Sequence, residues 1–224
     1  MVLGERHPDT LRVMNNLASS YREQGRWNEA AKLEETVLEA RKAVLGDWHP
    51  DTLLVMGNLA LTYLSLGKWD AAAQLQLNAL EGSMAVLGDR HPDTLTLLNN
   101  MAATYMHQGR SEKAAKLQKM VLDVIKAALG DQHPDTLIAR GNLAITYQKL
   151  GQWDEAVKLN KRVTEDSKAV LGDRHPDTVI GMGSLILVSG AVGGNESSAR
   201  RTAPKHTNRY ERHGYNVLET GAMG

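Results

Sequence analysis

The 224-residue chain carries 26 basic and 26 acidic residues, so no net charge draws it to nucleic acid or to membranes. It contains no cysteine, which excludes disulfides and thiolate metal sites and fits a reducing compartment. No apolar run approaches the roughly 20 residues of a membrane span, and the amino terminus has no apolar core of signal-peptide length. We therefore expect a cytoplasmic protein with no nucleic-acid and no membrane partner.

The tetrapeptide His-Pro-Asp-Thr recurs every 42 residues, and the residues around it recur in the same register. Four complete units are predicted at 7-48, 49-90, 91-132 and 133-174, followed by a partial unit at 175-186. Residues 1-6 match the end of a unit, so we interpret them as the remnant of a preceding repeat and the chain as a fragment of a longer array. The five copies begin at His7, His49, His91, His133 and His175.

Each unit is predicted to form two helices. Pro8 and Asp9 suit the first turn of helix A, and Gly25 suits the left-handed position that ends it. Helix B is expected to begin near Trp27 and to end before Gly46. A single hairpin cannot bury its apolar stripe, so neighbouring hairpins should stack into a solenoid. The stripe on the first helix A consists of Leu11, Met14, Leu17, Ala18 and Tyr21.

After residue 186 the repeat register is lost, and the Tyr, Gly and Trp expected near positions 189, 193 and 195 are absent. Residues 187-224 are rich in Gly at first and then basic and polar, so we predict a disordered tail. Back-translation of the tail in a shifted frame can restore repeat-like sequence. One hypothesis is therefore an out-of-frame readout of further repeats, and the alternative is a natural flexible tail.

The motifs Asn-Leu-Ala-x-x-Tyr, Gly-x-Trp-x-x-Ala and Leu-Gly-x-x-His-Pro-Asp-Thr together resemble the tetratricopeptide repeat in its 42-residue kinesin light chain form. The resemblance covers residue 3 to about residue 186. It implies an all-α, right-handed superhelical solenoid of antiparallel helix hairpins, with about four complete repeats and a concave wall lined by the A helices. The chain departs from the family late in helix B, where an aromatic residue is common. The residues there are Glu34, Gln76, Gln118 and Asn160.

The predicted ligand site lies on the A helices. If Leu17, Ala18 and Tyr21 pack inward, residues offset around the helix line the groove, and one Asn recurs there in every repeat. A carboxamide offers a donor and an acceptor, which suits the backbone of an extended peptide. Alternatively, these Asn side chains hydrogen-bond neighbouring backbone and hold the repeats together. The predicted binding residues are Asn15, Asn16, Ser19, Asn58, Leu61, Asn99, Asn100, Ala103, Asn142, Ile145 and Lys149.

No metal, cofactor or catalytic site is expected. The repeated histidines should lie roughly 8 to 10 Å apart, one per packed layer, whereas zinc needs its ligands at about 2 Å. The chain has no phosphate-binding loop, no zinc-protease motif and no nucleophile elbow. We therefore predict that it is not an enzyme.

The sequence predicts a protein-interaction module that binds a protein or peptide in a concave groove. The resemblance to kinesin light chain implies a cargo or scaffold role. Two alternatives stay open: a ligand-sensing array detached from a larger signalling NTPase, which the near-identity of the copies favours slightly, and a non-functional gene fragment. Exposed apolar faces at the end repeats also predict self-association.

Overall fold

The computed structural model describes residue 4 and residues 6–173 and 175–193. These residues form nine α-helices joined by short turns and contain no strand, which confirms the all-α prediction. None of the described helices is both long and apolar enough to cross a membrane. The helices are α1 (Pro8–Glu23), α2 (Trp27–Leu45), α3 (Pro50–Ser65), α4 (Trp69–Val86), α5 (Pro92–His107), α6 (Ser111–Leu129), α7 (Pro134–Lys149), α8 (Trp153–Leu171) and α9 (Pro176–Gly193).

The chain divides into two compact units, Met1–Gln108 and Gly109–Gly224. In the first unit each of α1 to α4 packs on the helix that follows it, and α3 also contacts α5. In the second unit α6 packs on α7, α7 on α8, and α8 on α9. Odd-numbered helices are A helices and even-numbered helices are B helices. Each unit thus contains hairpins together with contacts from a B helix to the next A helix.

The His-Pro-Asp-Thr motif forms the amino-terminal cap of the A helices. In four repeats the main-chain N–H of the Asp donates a hydrogen bond of 3.2 Å to Nδ1 of the His, as Asp9 does to His7. The Pro occupies the first turn, as predicted. From the second repeat onward the Thr is buried, and Thr94 Oγ1 donates to the carbonyl of Gly88 at 2.8 Å. The histidine is therefore a capping residue, a role that the sequence interpretation missed.

Helix ends and hairpin contacts agree with the prediction. Gly25 (φ 71°) follows α1 and Gly46 (φ 91°) follows α2, both in the left-handed region that glycine tolerates. Where the two helices of a hairpin meet, small alanines allow close approach, because a larger side chain would separate the axes. The alanines Ala18 and Ala30, Ala60 and Ala72, and Ala144 and Ala156 are all fully buried.

Helix α9 differs from the other A helices. It continues to Gly193, seven residues past the predicted end of the array at residue 186. Ile186 stands at the position of the buried alanines and is 71% exposed, and Val179 is 54% exposed where other A helices bury leucine. No described helix covers this face of α9. The remaining tail expectations concern residues 194–224, which lie outside the described residues, as do most of residues 1–6.

Candidate functional site

The most accessible apolar surface of an inner A helix lies on α3. Leu54, Asn58, Leu61 and Ser65 are spaced i, i+4, i+7 and i+11, which places them on one face of the helix. Leu54 is 57% exposed, Ser65 is exposed, and Asn58 and Leu61 are half-buried. We call this row, together with Gly57 beside Asn58, and the register equivalents of these five residues the A-helix stripe. It presents an amide between two leucines to the solvent.

The stripe on α1 is more polar. Asn16 is exposed, and Asn15 and Ser19 are half-buried, so all three predicted residues of this helix are accessible. The hydroxyl of Ser20 donates to the carbonyl of Asn16 at 3.2 Å. Thr62 Oγ1 lies at the same distance from the carbonyl of Asn58, so α1 and α3 share one local geometry.

The stripe is less accessible on α5 and α7. Four predicted residues of these helices lie in the packed interior and not on an open surface. The exposed fraction is 7% for Asn99, 3% for Asn100, 4% for Ala103 and 1% for Asn142. Ile145 is half-buried and Lys149 is exposed. Helical periodicity gives the direction of a side chain but not the depth to which its neighbours enclose it. The expectation of an accessible Asn in every repeat therefore holds for Asn16 and Asn58 alone.

A row of buried polar contacts, absent from the sequence interpretation, joins B helices to the A helices that follow. In the first unit Thr62 Oγ1 donates to Glu34 Oε2 at 2.6 Å, and Thr104 Oγ1 donates to Gln76 Oε1 at the same distance. All four side chains are at most 1% exposed. We call these contacts the interface pairs. Two of the four positions that lack the family's usual aromatic residue, Glu34 and Gln76, are thus polar contacts. The signal that could have revealed them is a threonine that recurs every 42 residues, each time 28 residues after such a position.

Glu34 is the acidic member of this row. Burial raises the pKa of its carboxyl above the ordinary value of 4.5, and the hydrogen bond from Thr62 and the charge of Arg22 oppose that rise. Arg22 Nε lies 3.5 Å from Glu34 Oε1, which is too long for a strong pair. The first interface pair is therefore sensitive to protonation, whereas the pair at Gln76 is not.

The second unit contains a buried cation. Arg140 is 3% exposed and stands where Met14 and Met56 stand in earlier repeats. Its Nη1 lies 2.5 Å from Asp166 Oδ2 and its Nη2 lies 2.7 Å from Asp131 Oδ1. Lys126 also binds Asp131 at 3.0 Å, and this contact lowers the pKa of the Asp131 carboxyl. The two carboxylates and the two cations of the cluster compensate one another.

A hollow of about 400 Å³ lies between α8 and α9, lined by Asp154, Val157, Lys158 and Ser189. Ser189 occupies the register position at which the four preceding A helices carry tyrosine. In the first unit such a tyrosine, Tyr63, reaches the preceding B helix and donates to Glu35 Oε1 at 2.8 Å. The hollow therefore corresponds to the missing ring of the fifth tyrosine.

The described residues contain no group of three or more His, Cys, Asp or Glu side chains that could hold a metal ion. The accessible stripe instead offers carboxamides, hydroxyls and aliphatic side chains. Such a surface suits noncovalent contact with a polypeptide, whose backbone pairs with amides and whose apolar side chains rest against leucine.

Comparison with known proteins agrees with this geometry. Family models of the tetratricopeptide repeat match residues 10–51, 51–119 and 93–169. A crystal structure of nearly identical TPR-like repeats from a Podosopora anserina protein, described as a putative kinesin light chain, is 28% identical, with a TM-score of 0.77 and coverage of 87% of this chain and 92% of that chain. A second crystal structure of those repeats, which carries one substitution, is 26% identical, with a TM-score of 0.77 and coverage of 89% and 93%.

BtubC (BKLC) from P. vanneervenii shares the fold, with 20% identity, a TM-score of 0.70 and coverage of 96% of this chain and 86% of that chain. No curated protein matches the sequence. The family models cover more than half of the chain, and the fold matches that of kinesin light chain-like repeat structures. The chain belongs to the tetratricopeptide repeat family, and its structure is similar to repeat structures of the kinesin light chain kind.

Proposed function

We propose that the chain binds an extended segment of a partner protein along the A-helix stripe of the first unit. The observation that carries this proposal is the row on α3, where Leu54 is 57% exposed beside the accessible Asn58 and Leu61. A single exposed leucine is ordinary on a protein surface. Here it belongs to a row of apolar and amide groups, which is the chemistry that an extended peptide needs.

The partner is a segment read mainly by its backbone and by aliphatic side chains. Asn58 supplies a donor and an acceptor for a peptide group, and Leu54 and Leu61 supply apolar contacts on either side. The stripe carries no row of Lys or Arg that could clamp a carboxylate, because Leu61, Ala103 and Ile145 stand at equivalent positions. The binding residues carried into this proposal are therefore Asn15, Asn16, Ser19, Asn58 and Leu61.

The role that fits this activity is that of a cargo adaptor or scaffold in the cytosol. The relative with 28% identity is described as a kinesin light chain repeat structure, and repeats of this family generally serve as protein-interaction scaffolds. We assign the chain no catalytic step. A partner identified by the experiment below would show whether the role is transport, scaffolding or sensing.

The test uses a displayed library of random 12-residue peptides selected against the full chain. Binding of the enriched peptides is then measured for Leu54→Arg and, as a matched control, Leu77→Glu. Both leucines lie in the first unit and are 57% and 43% exposed. The first repeat carries Arg12 and Glu35 at the corresponding positions, so the fold tolerates both changes.

We expect the enriched peptides to bind Leu54→Arg at least tenfold more weakly, because the apolar contact is lost and a charge is introduced. Leu77→Glu should bind as the unchanged chain does. If no peptide is enriched, or if both variants lose the same affinity, the A-helix stripe is not the binding surface.

A further inference from the structure

The contact between α8 and α9 is the weakest match to the repeat pattern in the second unit. At the positions where α3 carries Val55, Thr62 and Tyr63, helix α9 carries Gly181, Val188 and Ser189. Within α9, three interior glycines at 181, 183 and 190 each reduce helix stability by about 1 kcal/mol relative to alanine. Helix α9 still packs on α8 and buries Thr178 and Val188, but it lacks the threonine hydroxyl and the tyrosine ring of the repeat pattern, and its glycines lower its own helix stability.

Helix α8 carries a buried amide nitrogen and a hollow that the side chains of α9 do not fill, although the amide nitrogens of Gln76 and Gln118 at the same register position are also without a partner. Asn160 stands at the interface-pair position, is 6% exposed, and has a buried Nδ2 with no hydrogen-bond partner in the described structure. The register places Val188 where the hydroxyl of a threonine would stand, and Val188 can neither donate nor accept. Beside it lies the hollow of about 400 Å³ at Ser189. A ring the size of benzene fits a cavity of about 150 Å³, so the hollow has room for a tyrosine.

Helix α1 supplies the groups that α9 lacks. Val13 is 60% exposed and Leu17 is 43% exposed, whereas their equivalents on α3, Val55 and Leu59, are at most 2% exposed. Within the described residues, no helix lies on this face of α1 to cover them. This face of α1 thus carries the same kind of aliphatic side chains that α3 buries at the equivalent positions.

The polar groups of α1 are already oriented as they are on α3. Ser20 Oγ lies 3.2 Å from the carbonyl of Asn16, as Thr62 Oγ1 does from that of Asn58. The Arg26 guanidinium lies 4.1 Å from the centre of the Tyr21 ring, and Lys68 holds the ring of the next repeat in the same way. Little ordering is then required for α1 to dock as an A helix.

We propose that the amino-terminal helix α1 of a second copy of this chain displaces α9 and docks on α8. Val13 and Leu17 become buried, the Ser20 hydroxyl accepts a hydrogen bond from Asn160 Nδ2, and the Tyr21 ring fills the hollow at Ser189. The 42-residue register then runs from one copy into the next. The exposed face of α1 and the face of α8 that binds α9 are different surfaces, so the contact is head-to-tail. Each added copy still has its own α8 face, which we call the α8 seat, available for the α1 of a further copy.

Concentration controls this exchange. Helix α9 is tethered beside its seat at an effective concentration of the order of millimolar, which the incoming α1 must overcome. The glycines and the missing tyrosine weaken α9 and reduce that advantage. We therefore expect the assembled fraction of the chain to increase as its concentration rises from about 10 µM to about 500 µM. These concentrations are higher than the Kd of a typical specific complex, because the incoming helix must compete with α9.

The test measures the mass of the full chain by sedimentation velocity across that range, together with two variants. In the head variant, Val13→Glu and Leu17→Glu place charges on the exposed face of α1. In the tail variant, Val188→Thr and Ser189→Tyr give α9 the two missing contacts and fix it in its seat. Circular dichroism confirms that both variants keep their helical content, and the tail variant should melt at a higher temperature.

We expect the unchanged chain to form dimers and longer species and each variant alone to stay monomeric. A 1:1 mixture of the two variants should form a dimer and nothing longer, because the tail variant supplies only a head and the head variant supplies only a seat. The proposal is overturned by a monomeric unchanged chain, by assembly that persists in either variant, or by a mixture that stays monomeric.

Discussion

The buried guanidinium of Arg140 allows a quantitative prediction. It is 3% exposed and bonds Asp166 at 2.5 Å and Asp131 at 2.7 Å. At the same register positions the first repeat carries Met14 in place of the arginine and Ala40 in place of Asp166. The repeat fold therefore accepts the uncharged pair, and the double change Arg140→Met with Asp166→Ala is a conservative one.

The two single changes should differ in cost. Asp166→Ala leaves the buried guanidinium with Asp131 alone, whose side chain is 50% exposed. Leaving a buried charge fully uncompensated costs about 3–5 kcal/mol, so with one partner retained we expect a loss of about 2 kcal/mol. Arg140→Met instead buries an apolar side chain worth about 1.5–3 kcal/mol, and the remaining Asp166, 23% exposed, can still be hydrated. We expect its net effect to lie within about 1 kcal/mol.

Urea unfolding of the unchanged chain, both single variants and the double variant, followed by circular dichroism, gives the coupling between the two residues. The double variant should be within about 1 kcal/mol of the unchanged chain, which makes the coupling about 2 kcal/mol. A coupling near zero, or a larger loss for Arg140→Met than for Asp166→Ala, would refute the view that the arginine is the desolvated partner.

Three further changes test the other contacts. The pKa of Glu34 is raised in the folded chain, so its contribution to the free energy of unfolding is greatest below pH 4.5 and decreases as the pH rises through the pKa of the folded state. Urea titrations between about pH 4 and pH 7.5 should show this decrease in the unchanged chain and not in Glu34→Gln. A parallel pH dependence in both proteins would contradict it. His91→Ala removes a cap and should cost about 1 kcal/mol, whereas His91→Asn should retain most of it, as melting curves would show. Ala60→Ile should cost about 1–3 kcal/mol by overpacking the hairpin, and unchanged stability would show that the helices are not in close contact.

The repeat boundaries and helix ends were predictable because each rests on a local signal. Pro8 marks the first turn of α1, and Gly25 and Gly46 mark the two ends of the first hairpin. These signals act within a few residues and do not depend on what packs nearby. The buried alanines at helix crossings were likewise readable from their recurrence in one register.

The polar interior was not predictable in the same way. In the sequence, Glu34 and Gln76 are departures from an aromatic pattern, and their pairing with Thr62 and Thr104 depends on how a B helix lies against the next A helix. The depth of the stripe was missed for the same reason. Asn58 and Asn142 share one register position, yet only the first is accessible.

The interface pairs make the number of repeats an adjustable property of the chain. Deletion of residues 49–90 would bring Glu34 opposite Thr104, and the same acceptor–hydroxyl contact would form. The Arg140–Asp166 pair lies within one 42-residue unit, and the aspartate before each His-Pro, at positions 47, 89, 131 and 173, recurs in every unit. Loss or gain of one 42-residue unit between the two interface pairs would therefore preserve the acceptor–hydroxyl contact at the new junction.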